Sequence, residues 1–196
     1  MHQLRVAAVA MEICESLDVE IDTNSVVRAC LLHDMGNIIK FNLDRFPEWN
    51  KPEGTEYWQK VKDEYVEKYG KNEHKATILI GEELGLSQRI LELIDCVDSL
   101  HIETITLGSD ICKKICLYSD NRVTPHGVVS SEERSLEAKE RYKDHSHSFS
   151  EESRLHFNKK LDLIENDIFS HSNIKPEDIN DESIKNYLEK LQSISI

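Results

Sequence analysis

Residues 30–36 read Cys-Leu-Leu-His-Asp-Met-Gly, and they end an apolar run that begins near Val26. The run is apolar nearly all round at helical spacing, which is typical of a helix at the centre of a protein. An imidazole and a carboxylate, His33 and Asp34, are therefore predicted at the end of a buried helix. Burying either group alone costs several kcal/mol unless it is paired or binds a metal. A divalent metal satisfies both groups, since neutral imidazole and carboxylate are its ordinary ligands.

Two further residues complete the predicted metal site. His2 shares a helical stripe with Val6 and Ile13, so the first helix is expected to point it inward. Asp120 ends a second apolar helical pattern that includes Ile115. Two histidines and two aspartates from three helices give a metal four protein ligands and leave positions for substrate and water.

Helical patterns also cover most of the remaining chain, which holds only 7 Gly and 4 Pro. Polar residues that favour helix starts precede several of these patterns, at Asp22, Asn72, Ser87 and Ser130. No strand pattern or internal repeat is present. The predicted fold class is therefore all-α, an irregular multi-helix core rather than a symmetric bundle. After about residue 131 the charge rises, which predicts two or three amphipathic helices packing on the outside of the core.

The charge balance excludes several classes of partner. The chain has 196 residues with 24 Lys and Arg against 37 Asp and Glu, a formal net charge of −13. A surface for duplex nucleic acid or anionic lipid needs clustered cations, so neither partner is expected. No apolar run approaches the roughly 18–20 residues of a membrane-spanning helix. Five scattered cysteines do not form a secreted disulfide framework, which predicts a cytoplasmic location.

The sequence resembles the HD-domain metal-dependent phosphohydrolase superfamily, whose signature is a first His, a His-Asp doublet and a later Asp. The matching stretches are residues 2–7 (His-Gln-Leu-Arg-Val-Ala), 31–36 (Leu-Leu-His-Asp-Met-Gly) and 117–120 (Leu-Tyr-Ser-Asp). The resemblance implies an HD-type metal-binding helical core over residues 1–135, with amphipathic C-terminal helices over 136–196 packing on it. It also implies that a divalent metal is bound by His2, His33, Asp34 and Asp120.

Other residues match the family pattern only in part. Some members bind a second metal through two more histidines, for which His74 and His101 are the candidates. His74 is equally a candidate for an acid or a substrate contact that touches no metal. Many relatives have a lysine three residues after the doublet, where this chain has Asn37 and then Lys40. Arg122 and Lys40 are candidate phosphate contacts, Arg122 because a guanidinium binds phosphate in a bidentate manner.

The resemblance implies hydrolysis of a small phosphorylated metabolite, with a nucleotide as the favoured class. A bound metal lowers the pKa of water toward about 7, Asp34 is expected to orient that water, and His74 is expected to protonate the leaving group. Histidine and aspartate ligands suit Mn, Fe, Co, Ni, Zn or Mg without choosing among them. The expected partners are this small-molecule substrate and a second copy of the chain in a homo-oligomer.

Two alternative functions stay open from the sequence. One is an HD-fold dinuclear iron oxygenase, which requires His74 and a second histidine as metal ligands. The other is a non-catalytic ligand-binding or regulatory module that keeps the pocket for sensing. In that case the acidic outer helices after residue 131 are the expected partner surface.

Overall fold

The computed structural model describes residues 1–45, 47–143 and 150–193, and these residues form helices and connecting turns. The α-helices are α1 (His2–Ser16), α2 (Thr23–Leu32), α3 (Thr55–Tyr69), α4 (Glu73–Glu83), α5 (Gln88–Asp95), α6 (Ile102–Leu107), α7 (Ile111–Asp120), α8 (Ser131–Tyr142), α9 (Glu151–Phe169) and α10 (Lys185–Gln192). Extended pairing among the described residues is limited to two isolated bridges. The prediction of an all-α fold is confirmed. None of the described helices combines the length and apolar character that crossing a membrane requires.

Helix starts form where the polar residues were expected to cap them. The Asp22 carboxylate accepts a hydrogen bond from the Ser25 N–H at the start of α2. Asn72 caps α4 in the same way. Ser130 and Glu133 form a reciprocal capping box at the start of α8. Each cap satisfies a backbone N–H that the first turn of a helix leaves without a partner.

Helix α1 lies at the centre of the core. Its residues from Val6 to Met11 are all buried, and the helix packs against α2, α7 and α10. Helix α2 packs in turn against α5 and α7. Fully burying each large apolar side chain contributes about 1.5–3 kcal/mol, so this packing holds the three helices α1, α2 and α7 firmly against one another. The polar residues at the ends of these helices are thereby brought to one place.

The C-terminal helices belong to the same hydrophobic core. Helix α9 packs against α6 and α7, and α10 packs against α1. Leu161, Ile164 and Ile168 of α9 are buried in one cluster with the side chains of α1 and α7. The core is thus continuous across residue 135, and the domain boundary at that position stays a prediction.

The guanidinium of Arg122 is buried inside the fold. Only 3% of the residue is exposed. Its Nε donates to the Val129 carbonyl at 2.5 Å and its Nη1 to the Tyr118 hydroxyl at 2.6 Å. Its Nη2 donates to the carbonyls of Pro176 and Ile179 at 3.1 and 3.0 Å. The prediction that Arg122 contacts phosphate is therefore wrong, because these donors tie the end of α7 to the C-terminal segment.

A glycine lets α4 approach the turn that follows α2. The Gly36 N–H donates to Thr77 Oγ1 at 2.9 Å, and Thr77 Oγ1 donates to the Glu73 carbonyl, also at 2.9 Å. A Cβ atom on Gly36 would lie only 2.2 Å from the Glu73 carbonyl oxygen. Any larger residue would push the start of α4 away from the turn that carries Asp34.

We expect Gly36→Ala to lower the free energy of unfolding by about 1–3 kcal/mol, because backbone atoms must move to admit the methyl group. Gly108→Ala is the matched control, since its Cβ would meet nothing closer than the Thr104 carbonyl at 3.1 Å. Urea denaturation of both variants measures the difference. Equal stability of the two variants would contradict the close packing described for Gly36.

Candidate metal centre

Four polar residues meet where helices α1, α2 and α7 converge. His2 is the first residue of α1, and Asp120 is the last residue of α7. His33 and Asp34 directly follow Leu32, the last residue of α2. These four residues, His2, His33, Asp34 and Asp120, are called the cluster below. The structure thus brings together the four residues that the sequence predicted as metal ligands, and metal binding by them stays a prediction.

The distances within the cluster are those of a set of converging ligands. His2 Nε2 lies 3.0 Å from Asp120 Oδ1 and 3.8 Å from Asp34 Oδ2. His33 Nε2 lies 3.3 Å from the same Asp120 oxygen and 3.5 Å from the same Asp34 oxygen. One ligand atom each from His2, His33 and Asp34 lie within 4.8 Å of one another. Both imidazoles therefore point their Nε2 atoms at the two carboxylates.

A backbone hydrogen bond fixes the orientation of the His33 imidazole. Its Nδ1 donates a hydrogen bond to the Cys30 carbonyl at 2.7 Å, which leaves the Nε2 lone pair for a ligand in the neutral imidazole. His33 Nε2 is buried and has no hydrogen-bond partner among the described residues. A buried polar atom without a partner is costly, and a bound cation removes that cost. The two imidazoles and two carboxylates of the cluster are therefore a set of donors that fits a divalent metal.

The carboxylates control the charge of the buried imidazole. Burial lowers the pKa of His33, but the Asp120 and Asp34 carboxylates outweigh this effect and raise it to about 9. Burial raises the pKa of Asp120, but its contacts with His2 and His33 hold that pKa well below its usual range. In the metal-free protein the cluster therefore contains an imidazolium–carboxylate pair at neutral pH. A metal must displace this proton, so metal affinity rises with pH.

His74 and His101 meet around a different carboxylate. His74 Nε2 lies 3.1 Å from Asp95 Oδ1, and His101 Nε2 lies 3.4 Å from Asp95 Oδ2. Within the described parts of the chain, neither imidazole has a hydrogen bond or an ion pair with the cluster. A second metal at His74 and His101 stays a prediction.

The charged residues around the cluster differ in their availability. Lys40 ends a short 3₁₀ turn and lies 3.6 Å from the Glu73 carboxylate, so its ammonium already has an anionic neighbour. Sequence reasoning did not single out Arg5, which lies on α1 three residues after His2. The signal was present in the spacing, because residues three apart share one face of a helix.

The fold and the cluster define an all-α protein with a candidate metal centre between three helices. The family model of the HD domain matches residues 1–100, a stretch that contains His2, the His33–Asp34 doublet and His74. The chain belongs to the HD-domain family. Members of this family are mostly metal-dependent phosphohydrolases and typically bind divalent metals, which indicates a metal-dependent hydrolase type of function in general. No curated protein and no solved structure has significant similarity to the chain.

We expect Asp120→Asn and His2→Ala to weaken the binding of a divalent metal by more than the 10–100-fold that residues outside the ligand set typically cost. The reason is that each change removes one of four converging donors. Isothermal titration of the metal-free protein with Mn²⁺ measures the effect. His171→Gln alters an exposed histidine and is the control. Unchanged affinity in both cluster variants would show that the metal is bound elsewhere.

The metal-free protein should also lose stability as the pH rises. The pKa of His33 is raised from 6.5 to about 9, so protonated His33 stabilises the fold. This contribution is fully present below about pH 6.5 and is lost as the pH rises through about 9. Urea unfolding of chelator-treated protein across this interval should therefore show a decline that is absent in His33→Gln. An equal decline in that variant would assign the effect to another group.

Proposed function

We propose that the protein is a metal-dependent phosphohydrolase that acts on a small phosphorylated metabolite, with a nucleotide as the favoured class of substrate. The observation that carries the proposal is the buried His33 Nε2, which has no hydrogen-bond partner among the described residues and lies 3.5 and 3.3 Å from the carboxylates of Asp34 and Asp120, beside a second imidazole. Such a donor set is suited to a divalent cation. Membership of a family composed mostly of metal-dependent phosphohydrolases supports the same function.

The cluster is closed on one side and open on the other. The side chain of His33 is only 3% exposed, whereas that of Asp34 is 26% exposed. The side chains of His2 and Asp120 are also partly exposed. Substrate and water would therefore approach from the side of His2, Asp34 and Asp120, while the core behind His33 excludes water.

The residues of the chain have distinct roles in the proposed reaction. His2, His33, Asp34 and Asp120 would hold a divalent metal, which would act as a Lewis acid and would lower the pKa of a water molecule toward about 7. Asp34 is at the open side, where its carboxylate can orient the attacking water and accept a proton from it. The water oxygen then forms a bond to phosphorus, and the ester P–O bond breaks. His74, whose imidazole is held by Asp95, is proposed to give a proton to the leaving oxygen.

The position of α4 supports a role for His74 near this reaction. The close contact of Gly36 with Glu73 places the residue before His74 against the turn that begins with Asp34. The contact of His74 Nε2 with Asp95 orients the imidazole, which suits the proposed role of proton donor. The iron oxygenase alternative needs this imidazole at a metal, whereas within the described residues His74 contacts Asp95 and not the cluster.

We expect Asp34→Ala to abolish hydrolysis while the chain still folds, because the fold depends on apolar packing and Asp34 lies at the edge of the core. Asp18→Ala, which alters an aspartate whose side chain is 76% exposed, is the matched control. Circular dichroism checks folding, and a panel of nucleotides together with p-nitrophenyl phosphate checks turnover. Near-normal turnover in folded Asp34→Ala would end the proposal. Binding of a panel member by the wild type without any turnover would identify a binding module instead.

A further inference from the structure

A second arginine, Arg5, lies beside the cluster. It follows His2 by three residues on α1 and therefore shares its face of the helix. Helical side chains tilt toward the N-terminus of their helix, so the Arg5 side chain extends toward the end that carries His2. Its Nη1 donates to the Pro125 carbonyl at 3.4 Å, in the turn that follows Asp120. The guanidinium thus lies between segments that carry ligands of the cluster.

This turn and a C-terminal aspartate fix one edge of the guanidinium. Asp181 Oδ1 lies 3.5 Å from Arg5 Nε, and Asp181 Oδ2 accepts a hydrogen bond from the Val128 N–H at 3.3 Å. The aspartate can come this close only because residue 127 is glycine, where a Cβ would lie 2.3 Å from Asp181 Oδ2. Asp181 therefore orients Arg5 from the Nε edge, and Nη2 makes no hydrogen bond within the described residues.

Most donors of Arg5 have no partner among the residues that the structure describes. A guanidinium has five N–H donors, and within the described residues that of Arg5 contacts only Pro125 and Asp181. Both contacts are longer than the usual 2.9–3.0 Å of a strong hydrogen bond. The side chain is nevertheless only 20% exposed. Arg5 thus differs from Arg122, whose guanidinium is buried and engaged with four acceptors.

Binding a phosphate at the cluster requires positive charge beyond that of a metal. A divalent cation would be neutralised by the Asp34 and Asp120 carboxylates. A phosphate dianion that enters the site then requires further positive charge, and the protein as a whole carries a formal charge of −13. Lys40 and Arg5 each have one carboxylate neighbour, at 3.6 and 3.5 Å. Arg5 is the better-placed cation because it shares a helix face with His2 and contacts the turn that follows Asp120.

We propose that Arg5, placed one helical turn from His2 and flanked by the turn after Asp120, binds the phosphate oxygens of the substrate. The inference rests on the proposed function, since it names the group that recognises the phosphoryl moiety at the same site. A guanidinium suits this task because it donates parallel hydrogen bonds to two oxygens of one phosphate.

The test is the binding of inorganic phosphate, titrated calorimetrically into protein loaded with Mn²⁺. Arg5→Gln should weaken phosphate binding and raise KM for p-nitrophenyl phosphate, each on the order of 10–100-fold, because charge-assisted hydrogen bonds are lost. Metal content should stay unchanged. Arg5→Lys should recover part of the phosphate affinity, since lysine keeps the positive charge but cannot donate two parallel hydrogen bonds to one phosphate. Arg28→Gln removes the same charge from an exposed position on α2 and should change neither quantity.

The outcomes separate this inference from the proposed function. If Arg5→Gln does not fold, Arg5→Met keeps the alkyl stem that packs along the protein and carries the same test. Unchanged phosphate affinity and KM in a folded, metal-loaded Arg5 variant would overturn the inference while the wild type remains a phosphohydrolase. A wild type that binds phosphate through Arg5 and hydrolyses no ester would overturn the proposed function and leave the inference standing.

Discussion

The hydrogen bond from His33 Nδ1 to the Cys30 carbonyl is the contact on which the site depends. It closes the last turn of α2 and directs the buried Nε2 at Asp34 and Asp120. A buried imidazole without this anchor would be free to rotate, and its Nε2 could then turn away from the carboxylates. Apolar packing of α1, α2 and α7 determines where the helix ends meet. The hydrogen bond to Cys30 determines that His33 directs its Nε2 into the cluster.

The site combines a sealed side with an accessible side. His33 lies against the core, where water is excluded and electrostatic interactions are strong. His2, Asp34 and Asp120 are partly exposed. In the metal-free state the carboxylates keep His33 protonated, and the resulting pair replaces the charge that a metal would bring. Without a metal the same four groups therefore form a network of ion pairs, in which His2 also has a hydrogen bond with Asp120.

Local patterns in the sequence were sufficient to predict the fold class and to select the four residues that the structure brings together, while metal binding by these residues stays a prediction. Apolar spacing identifies α1, α2 and α7, and a polar residue at the end of each is conspicuous.

Arg122 shows where local reasoning fails. Its partners Pro176 and Ile179 lie 54 and 57 residues later in the chain. No pattern near residue 122 reveals that their carbonyls enclose it.

The surroundings of the cluster depend on tertiary contacts of the same kind. Asp95 was not expected to lie between His74 and His101, because the pairing joins the end of α5 to two other segments. Arg5 was visible from its spacing to His2, but its availability follows only from the packing of Asp181 and the turn at Pro125.

The central claim is that one divalent metal binds where α1, α2 and α7 meet. The most direct measurement is a crystal structure of metal-loaded protein with anomalous data collected at the absorption edge of the metal. The account predicts one anomalous peak bound by His2, His33, Asp34 and Asp120, at about 2.0–2.2 Å from each ligand atom for a metal such as zinc. A peak at His74, Asp95 and His101 with none at the cluster would contradict it.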